Sequence, residues 1–173
     1  MSIFSIFKRK RAVVGDSVDV PVDNLNVEFQ ANDFLGKAAE AGHKAKDAVK
    51  AKRYDDAWKL FQEQKTLYLH HASKYEFTSL QTLALDSSVH EKMANILRME
   101  GKHIEALINI VYWVLAGTHR PINRHHQKLR AYFNRCKFKN TTLEQAQLEL
   151  AAHRGLPEYT VAKSIVSNWV SSS

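Results

Sequence analysis

The chain has 173 residues, 45% hydrophobic and 25% charged. At roughly 100–200 residues per domain this is one domain, or one with a small appendage, long enough to bury about 70% of its unfolded surface without disulfides or metal. The composition excludes wholesale disorder, collagen-like repeats and a multi-span membrane protein, while 25 Lys and Arg against 18 Asp and Glu give a net charge of +7 that favours nucleic acid, anionic membrane or an acidic protein as partner.

The first segment places Ile3, Phe4, Ile6 and Phe7 ahead of Lys8, Arg9, Lys10 and Arg11, the reverse of a secretion signal, whose charges come first. Such an arm suits the interface of a bilayer with anionic headgroups. A nuclear-import or nucleic-acid arm, and a basic terminus without a partner, stay open beside that reading. Residues 12–32 alternate Val and Asp around Gly15 and Pro21 without a helical period, the pattern of an extended linker or short edge strand.

From Asp33 onward Gly and Pro are sparse and apolar residues recur at spacings of three and four. The spacing predicts helices over about 33–51, 55–73, 78–99, 103–117, 123–135, 142–153 and 157–168, and so an all-α fold. Thr142 and Gln145 are set for a capping box, Gly155 lies past a helix end, and Pro157 suits a first helical turn. The longest apolar run, Ala106 to Gly117, is broken by Asn109 and is far shorter than the roughly 20 residues a membrane span needs. The single cysteine, Cys136, implies a reduced, intracellular setting; its neighbours Arg135 and Lys137 would depress its thiol pKa if it were exposed.

An internal similarity runs through the helices. Lys52-Arg-Tyr-Asp-Asp-Ala57 leads to Phe61 as Gly101-Lys-His-Ile-Glu-Ala106 leads to Ile110, and Ala45 and Ala94 stand twelve residues before the two alanines. Small residues on both helices of a tight hairpin allow close approach, and bulkier positions a turn away fill the groove. Ala45, Ala57 and Phe61, then Ala94, Gly101, Ala106 and Ile110, resemble the tetratricopeptide repeat over about residues 38–117, although the two units are 49 residues apart rather than the family's 34. The resemblance implies antiparallel hairpins stacked into a binding scaffold, with polar residues of the first helices, Lys44, Lys52, His90 and Arg98, lining a partner groove. Trp58, Phe61, Tyr68 and Trp113 are read as core.

The charge is local. No Asp or Glu occurs between Glu105 and Glu144, and that interval holds Arg120, Arg124, Lys128, Arg130, Arg135, Lys137 and Lys139; the other 18 cations equal the 18 acids. Tyr132, Phe133 and Phe138 are interleaved, so the block has the composition of a surface that neutralises phosphates and stacks bases; an acidic protein, or solvent alone, fits it as well. Residues 149–165 further resemble a bacterial helix-turn-helix, with Ala151 at the helix contact, Gly155 at the left-handed turn, and Leu156 and Val161 in its small core. That resemblance implies an exposed recognition face of Glu158, Tyr159, Lys163 and Asn168. Two helices closing the end of a helical stack are the alternative.

Glu40 with His43 and Glu100 with His103 have the spacing of di-iron bundles, but His103 follows a predicted turn, and no Cys pair, phosphate-binding glycine loop or nucleophile elbow occurs. No metal, cofactor or catalytic residue is expected. The sequence therefore divides into a basic arm and linker (1–32), tetratricopeptide-like hairpins (33–117) and a basic three-helix region (118–173). It reads as a non-enzymatic cytoplasmic adaptor for a protein or peptide, or alternatively as a DNA- or RNA-binding regulator using 118–168.

Overall fold

The computed structural model describes residues 32–118 and 124–172. The basic arm of Lys8 to Arg11, the linker to residue 31, and Arg120 lie outside the described residues. Among those described, eight α-helices and no strand occur: α1 (Phe34–Lys50), α2 (Tyr54–Lys74), α3 (Ser79–Ser87), α4 (His90–Met99), α5 (His103–Ala116), α6 (Arg124–Cys136), α7 (Leu143–Ala152) and α8 (Tyr159–Ser171).

α1 buries a stripe of small residues, Ala38, Ala41, Gly42, Ala45 and Ala48, against α2, which returns Ala57, Phe61, Gln64 and Ala72. With methyl groups on one side, the backbones approach closely and Phe61 fills the groove one turn on. The reversal between them is tight: Lys52 adopts φ +59 and the Arg53 N–H donates to the Ala48 carbonyl at 2.9 Å. α4 and α5 repeat this arrangement, with Ala94 and Ala106 fully buried, Gly101 at φ +77, and the Lys102 N–H donating to the Leu97 carbonyl at 2.9 Å.

The helix expected over 78–99 is two helices. Ser88 donates both its Oγ and its N–H to the Leu85 carbonyl, at 2.7 and 3.2 Å, so a serine hydroxyl competes for the carbonyl that the helix ladder would use. Fully buried Val89 then starts α4 by offering its carbonyl to Met93. The start of α3 has a capping box between Thr78 and Gln81, and the box expected between Thr142 and Gln145 caps α7. Pro157 lies before α8 rather than in its first turn, because that helix begins at Tyr159; Gly155 supplies the left-handed turn at φ +94.

α5 is the hub. It is apolar nearly all round, with every residue from Ala106 to Trp113 buried, as befits a helix enclosed by others. α3, α4, α6 and α8 all pack on it. The helices after residue 117 consequently have no core of their own: Leu129, Tyr132, Phe133, Ala146, Leu150, Ala162, Val166 and Trp169 join α5 in one apolar cluster. A second cluster unites Ala45, Ala48, Ala57 and Phe61 of the first hairpin with Val89, Met93 and Ile96 at the start of the second. Phe61 and Trp113 are buried as expected, and Trp58 and Tyr68 pack half-buried at the edge of that cluster. No helix among the described residues is long and apolar enough to cross a membrane.

A candidate binding cleft and a buried polar cluster

Two polar assemblies stand out. The first is a cleft of about 440 Å³ where the first helix of each hairpin meets α6. α1 contributes Lys46 and Val49, α2 Phe61, α4 Glu91, Lys92 and Asn95, and α6 Arg124 and Lys128. One carboxylate oxygen of Glu91 holds two of the cations, Arg124 Nη2 at 2.8 Å and Lys128 Nζ at 2.9 Å. Neither Lys46 nor Lys92 forms an ion pair among the described residues. Burial is the main cause that lowers the Lys92 pKa from its usual value, with repulsion from Lys46 adding to it; its ammonium lies 5.8 Å from the centre of the Phe61 ring. Asn95 Oδ1 accepts two hydrogen bonds from Arg98, at 3.2 and 2.8 Å.

The second assembly is internal. His90 Nδ1 lies 2.7 Å from Asn109 Oδ1 and His90 Nε2 3.2 Å from Lys65 Nζ. Lys65 is always a donor, so the pattern closes with a neutral imidazole that donates from Nδ1 and accepts at Nε2. Asn109 Nδ2 donates to the Glu105 carbonyl at 2.9 Å and to the Tyr159 hydroxyl at 3.2 Å. Asp86 accepts from Tyr112 at 2.5 Å and pairs with Lys65 at 3.1 Å. Burial lowers the His90 pKa to about 4, with the Lys65 charge acting in the same direction, and burial raises both tyrosines. Five helices are pinned at one point, α2 through Lys65, α3 through Asp86, α4 through His90, α5 through Asn109 and Tyr112, and α8 through Tyr159.

The groove residues expected from the repeat do not converge. His90 is 3% exposed, so it belongs to the buried cluster and not to a surface groove; its position at the start of α4, beneath Asn109 and Lys65, turns it inward. Lys44 is exposed and paired with Glu40 at 2.7 Å, Lys52 sits at the hairpin tip, and Arg98 is half-buried and committed to Asn95. Of the basic block, Arg124 and Lys128 enter the cleft, whereas Arg130, Arg135, Lys137, Lys139 and Lys163 are exposed elsewhere. Arg135 donates to the Ala131 carbonyl, with its guanidinium 6.0 Å from the Tyr132 ring centre.

The interleaved aromatics do not form a stacking face: Tyr132 and Phe133 are 4% and 6% exposed, and Phe138 packs half-buried on the same core. Within 149–165, Ala151 and Leu156 are exposed, Leu156 to 50%, so Ala151 is not buried at a helix contact and Leu156 does not fill a small core with Val161; α8 packs on α5, and half-buried Val161 lies against the α5 core. Glu158, Lys163 and Asn168 are exposed, but the Tyr159 hydroxyl is taken by Asn109.

Cys136 is half-buried. Burial pushes its thiol pKa up to about 11, opposite to the effect its basic neighbours would have in solvent. Glu40 and Glu100 are engaged by Lys44 and Lys102, and no group of three His, Cys, Asp or Glu able to hold a metal occurs among the described residues. Sequence reasoning missed Lys46, Lys92 and Asn95, for which composition carries no signal, and Lys65, Asp86 and Tyr112. Asn109, the polar interruption of an apolar run, was the visible sign of the buried cluster.

The fold and the cleft define an all-α protein of packed helical hairpins with a basic concavity. No protein-family model matches the chain, and neither comparison with curated proteins nor comparison with solved structures finds a match.

Proposed function

We propose that this protein is a non-enzymatic intracellular helical adaptor, built from tetratricopeptide-like hairpins, that binds an acidic protein partner through its basic face. One observation carries the reading. Along α6 and the segment after it, cations are exposed while Tyr132 and Phe133 are in the core. Such a surface attracts carboxylates but gives unpaired bases no aromatic platform, where stacking contributes about 1–3 kcal/mol per base. The alternative, a DNA or RNA regulator, draws on exposed Arg130, Lys137, Lys139 and Lys163, which are available to phosphates.

Fluorescence anisotropy with the full chain separates the two. A Glu-rich peptide is expected to bind at low salt and to be released as salt rises, while single-stranded and duplex DNA of unrelated sequence bind more weakly. Tighter binding to DNA than to the peptide at every salt concentration overturns the adaptor reading.

A further inference from the structure

We infer that the cleft between α1, α4 and α6 is the docking site for an acidic segment of the partner, and that Glu91 is an internal counter-ion which the segment's carboxylates displace. The inference rests on the adaptor reading and specifies its site. Four cations, Lys46, Lys92, Arg124 and Lys128, line the cleft with a single carboxylate, a local excess of three positive charges (four minus one). A single Glu91 oxygen serves both Arg124 and Lys128, so it is already shared; Lys46 and Lys92 form no ion pair among the described residues, and the attraction of Glu91 for Lys92 is outweighed by burial and by repulsion from Lys46. Like charges this close, one of them partly desolvated, raise the free energy of the empty cleft, and an incoming anion relieves both costs.

The lining also selects the kind of anion. Phe61 is 2% exposed and Val49 half-buried, giving an apolar floor with no ring face open for a base to stack on. Above it Asn95, whose Oδ1 is occupied by Arg98, keeps its Nδ2 hydrogens for an acceptor. Spaced cations over an apolar floor suit carboxylates flanking an apolar side chain, as in a Glu-Glu-Leu repeat. Three helices from three parts of the chain supply the charges, so the site exists only in the folded stack.

The test uses a fluorescein-labelled dodecapeptide of Glu-Glu-Leu triplets with the full chain. Lys46→Glu combined with Lys92→Met, which keeps the stem over Phe61, is expected to weaken binding about tenfold or more. Arg130→Glu with Lys139→Glu, on the exposed surface, should weaken it less than about threefold, and Glu91→Gln should tighten it about threefold or more. Circular dichroism and thermal melting of each variant exclude unfolding, and Lys46→Glu alone, at an exposed position, serves if the double variant is unstable.

If the peptide binds but the exposed pair matters more than the cleft pair, the cleft assignment is overturned and the basic-face reading stands. Absence of peptide binding at low salt overturns both. Competition of unrelated single-stranded DNA for the same residues, at higher affinity than the peptide, overturns the partner class. An increase in affinity on Glu91→Gln, without a matching increase on Glu144→Gln, supports Glu91 as the displaced group.

Discussion

Lys52 and Gly101 occupy the same position in two copies of one turn. Both are left-handed, at φ +59 and +77, both follow the last turn of a first helix, and both are succeeded by a residue whose N–H returns to a carbonyl five positions back, Ala48 or Leu97, at 2.9 Å. Their offset is the one that relates Ala45 to Ala94 and Ala57 to Ala106. The hairpins are thus repeated in backbone detail and in small-residue contacts, but only the second has the residue suited to its turn.

A left-handed conformation costs an L-residue with a Cβ roughly 1–2 kcal/mol that glycine avoids, offset in part by glycine's greater unfolded-state freedom. Lys52→Gly is therefore expected to stabilise the protein by about 0.5–1 kcal/mol, and Gly101→Ala to destabilise it by about 1 kcal/mol. No atom lies near the position a Cβ would take at Gly101, so that cost is conformational and not steric. Urea denaturation with an unchanged m-value checks both; a destabilised Lys52→Gly would show that the lysine side chain contributes more than its backbone costs.

The buried cluster makes stability sensitive to acid. His90, faced by Lys65, Asp86, Asn109, Tyr112 and Tyr159, is neutral in the fold with its pKa lowered from 6.5 to about 4. Between those values the unfolded chain binds a proton that the folded chain refuses, so the contribution is complete above pH 6.5 and is lost as the pH falls towards 4. Its span is on the order of 3 kcal/mol. Unfolding free energy measured at pH 7 and pH 5 should fall more steeply in the native chain than in His90→Gln. Equal slopes would mean that other groups govern acid sensitivity. Asn109→Ala, which leaves the imidazole and the Tyr159 hydroxyl without their amide, should cost about 1–3 kcal/mol at pH 7.

The helices were legible because their apolar spacing and caps are local, down to the box of Thr142 and Gln145. The break at Ser88 was not, since a serine pair interrupts a helix only where buried Val89 and the Asp86–His90 cluster reward the bend. The site was legible in part. An acid-free interval locates Arg124 and Lys128, but the acid they meet, Glu91, and the lysines beside it come from helices whose approach is set by tertiary packing. The aromatics of that interval were misread for the opposite reason: Tyr132 and Phe133 look like a nucleic-acid surface only until α6 is laid on α5, when they become its buried face.

Cys136 should react slowly with thiol reagents. Its Sγ is 3.4 Å from the His103 carbonyl and 3.5 Å from the Tyr132 carbonyl, and burial holds the thiol pKa near 11, so little thiolate exists at pH 8. Iodoacetamide labelling of the native chain at pH 8 should be at least about tenfold slower than labelling in urea. A rapid native reaction would place the sulfur in solvent.

Gly117 closes the last turn of α5, and its missing side chain is where the His125 ring lies. A Cβ there would be 1.8 Å from His125 Cε1, with both ring nitrogens within 2.8 Å. The ring is held edge-on against Trp113 at a centroid distance of 4.2 Å, and it is 6% exposed. To make room it must give up its packing on Trp113 and turn towards the cavity of about 330 Å³ that it lines with Gly117, Leu129 and Leu150. Gly117→Ala should therefore expel His125, uncover Trp113 and cost about 1–3 kcal/mol by overpacking, despite the better helix propensity of alanine. Chemical denaturation gives the cost, and a red-shifted Trp113 emission, read with Trp58 and Trp169 replaced by Phe, reports the expulsion. Gly117→Ala combined with His125→Ala should recover part of the loss, because the three atoms nearest to that Cβ all belong to this ring; a double variant no more stable than Gly117→Ala would locate the strain elsewhere.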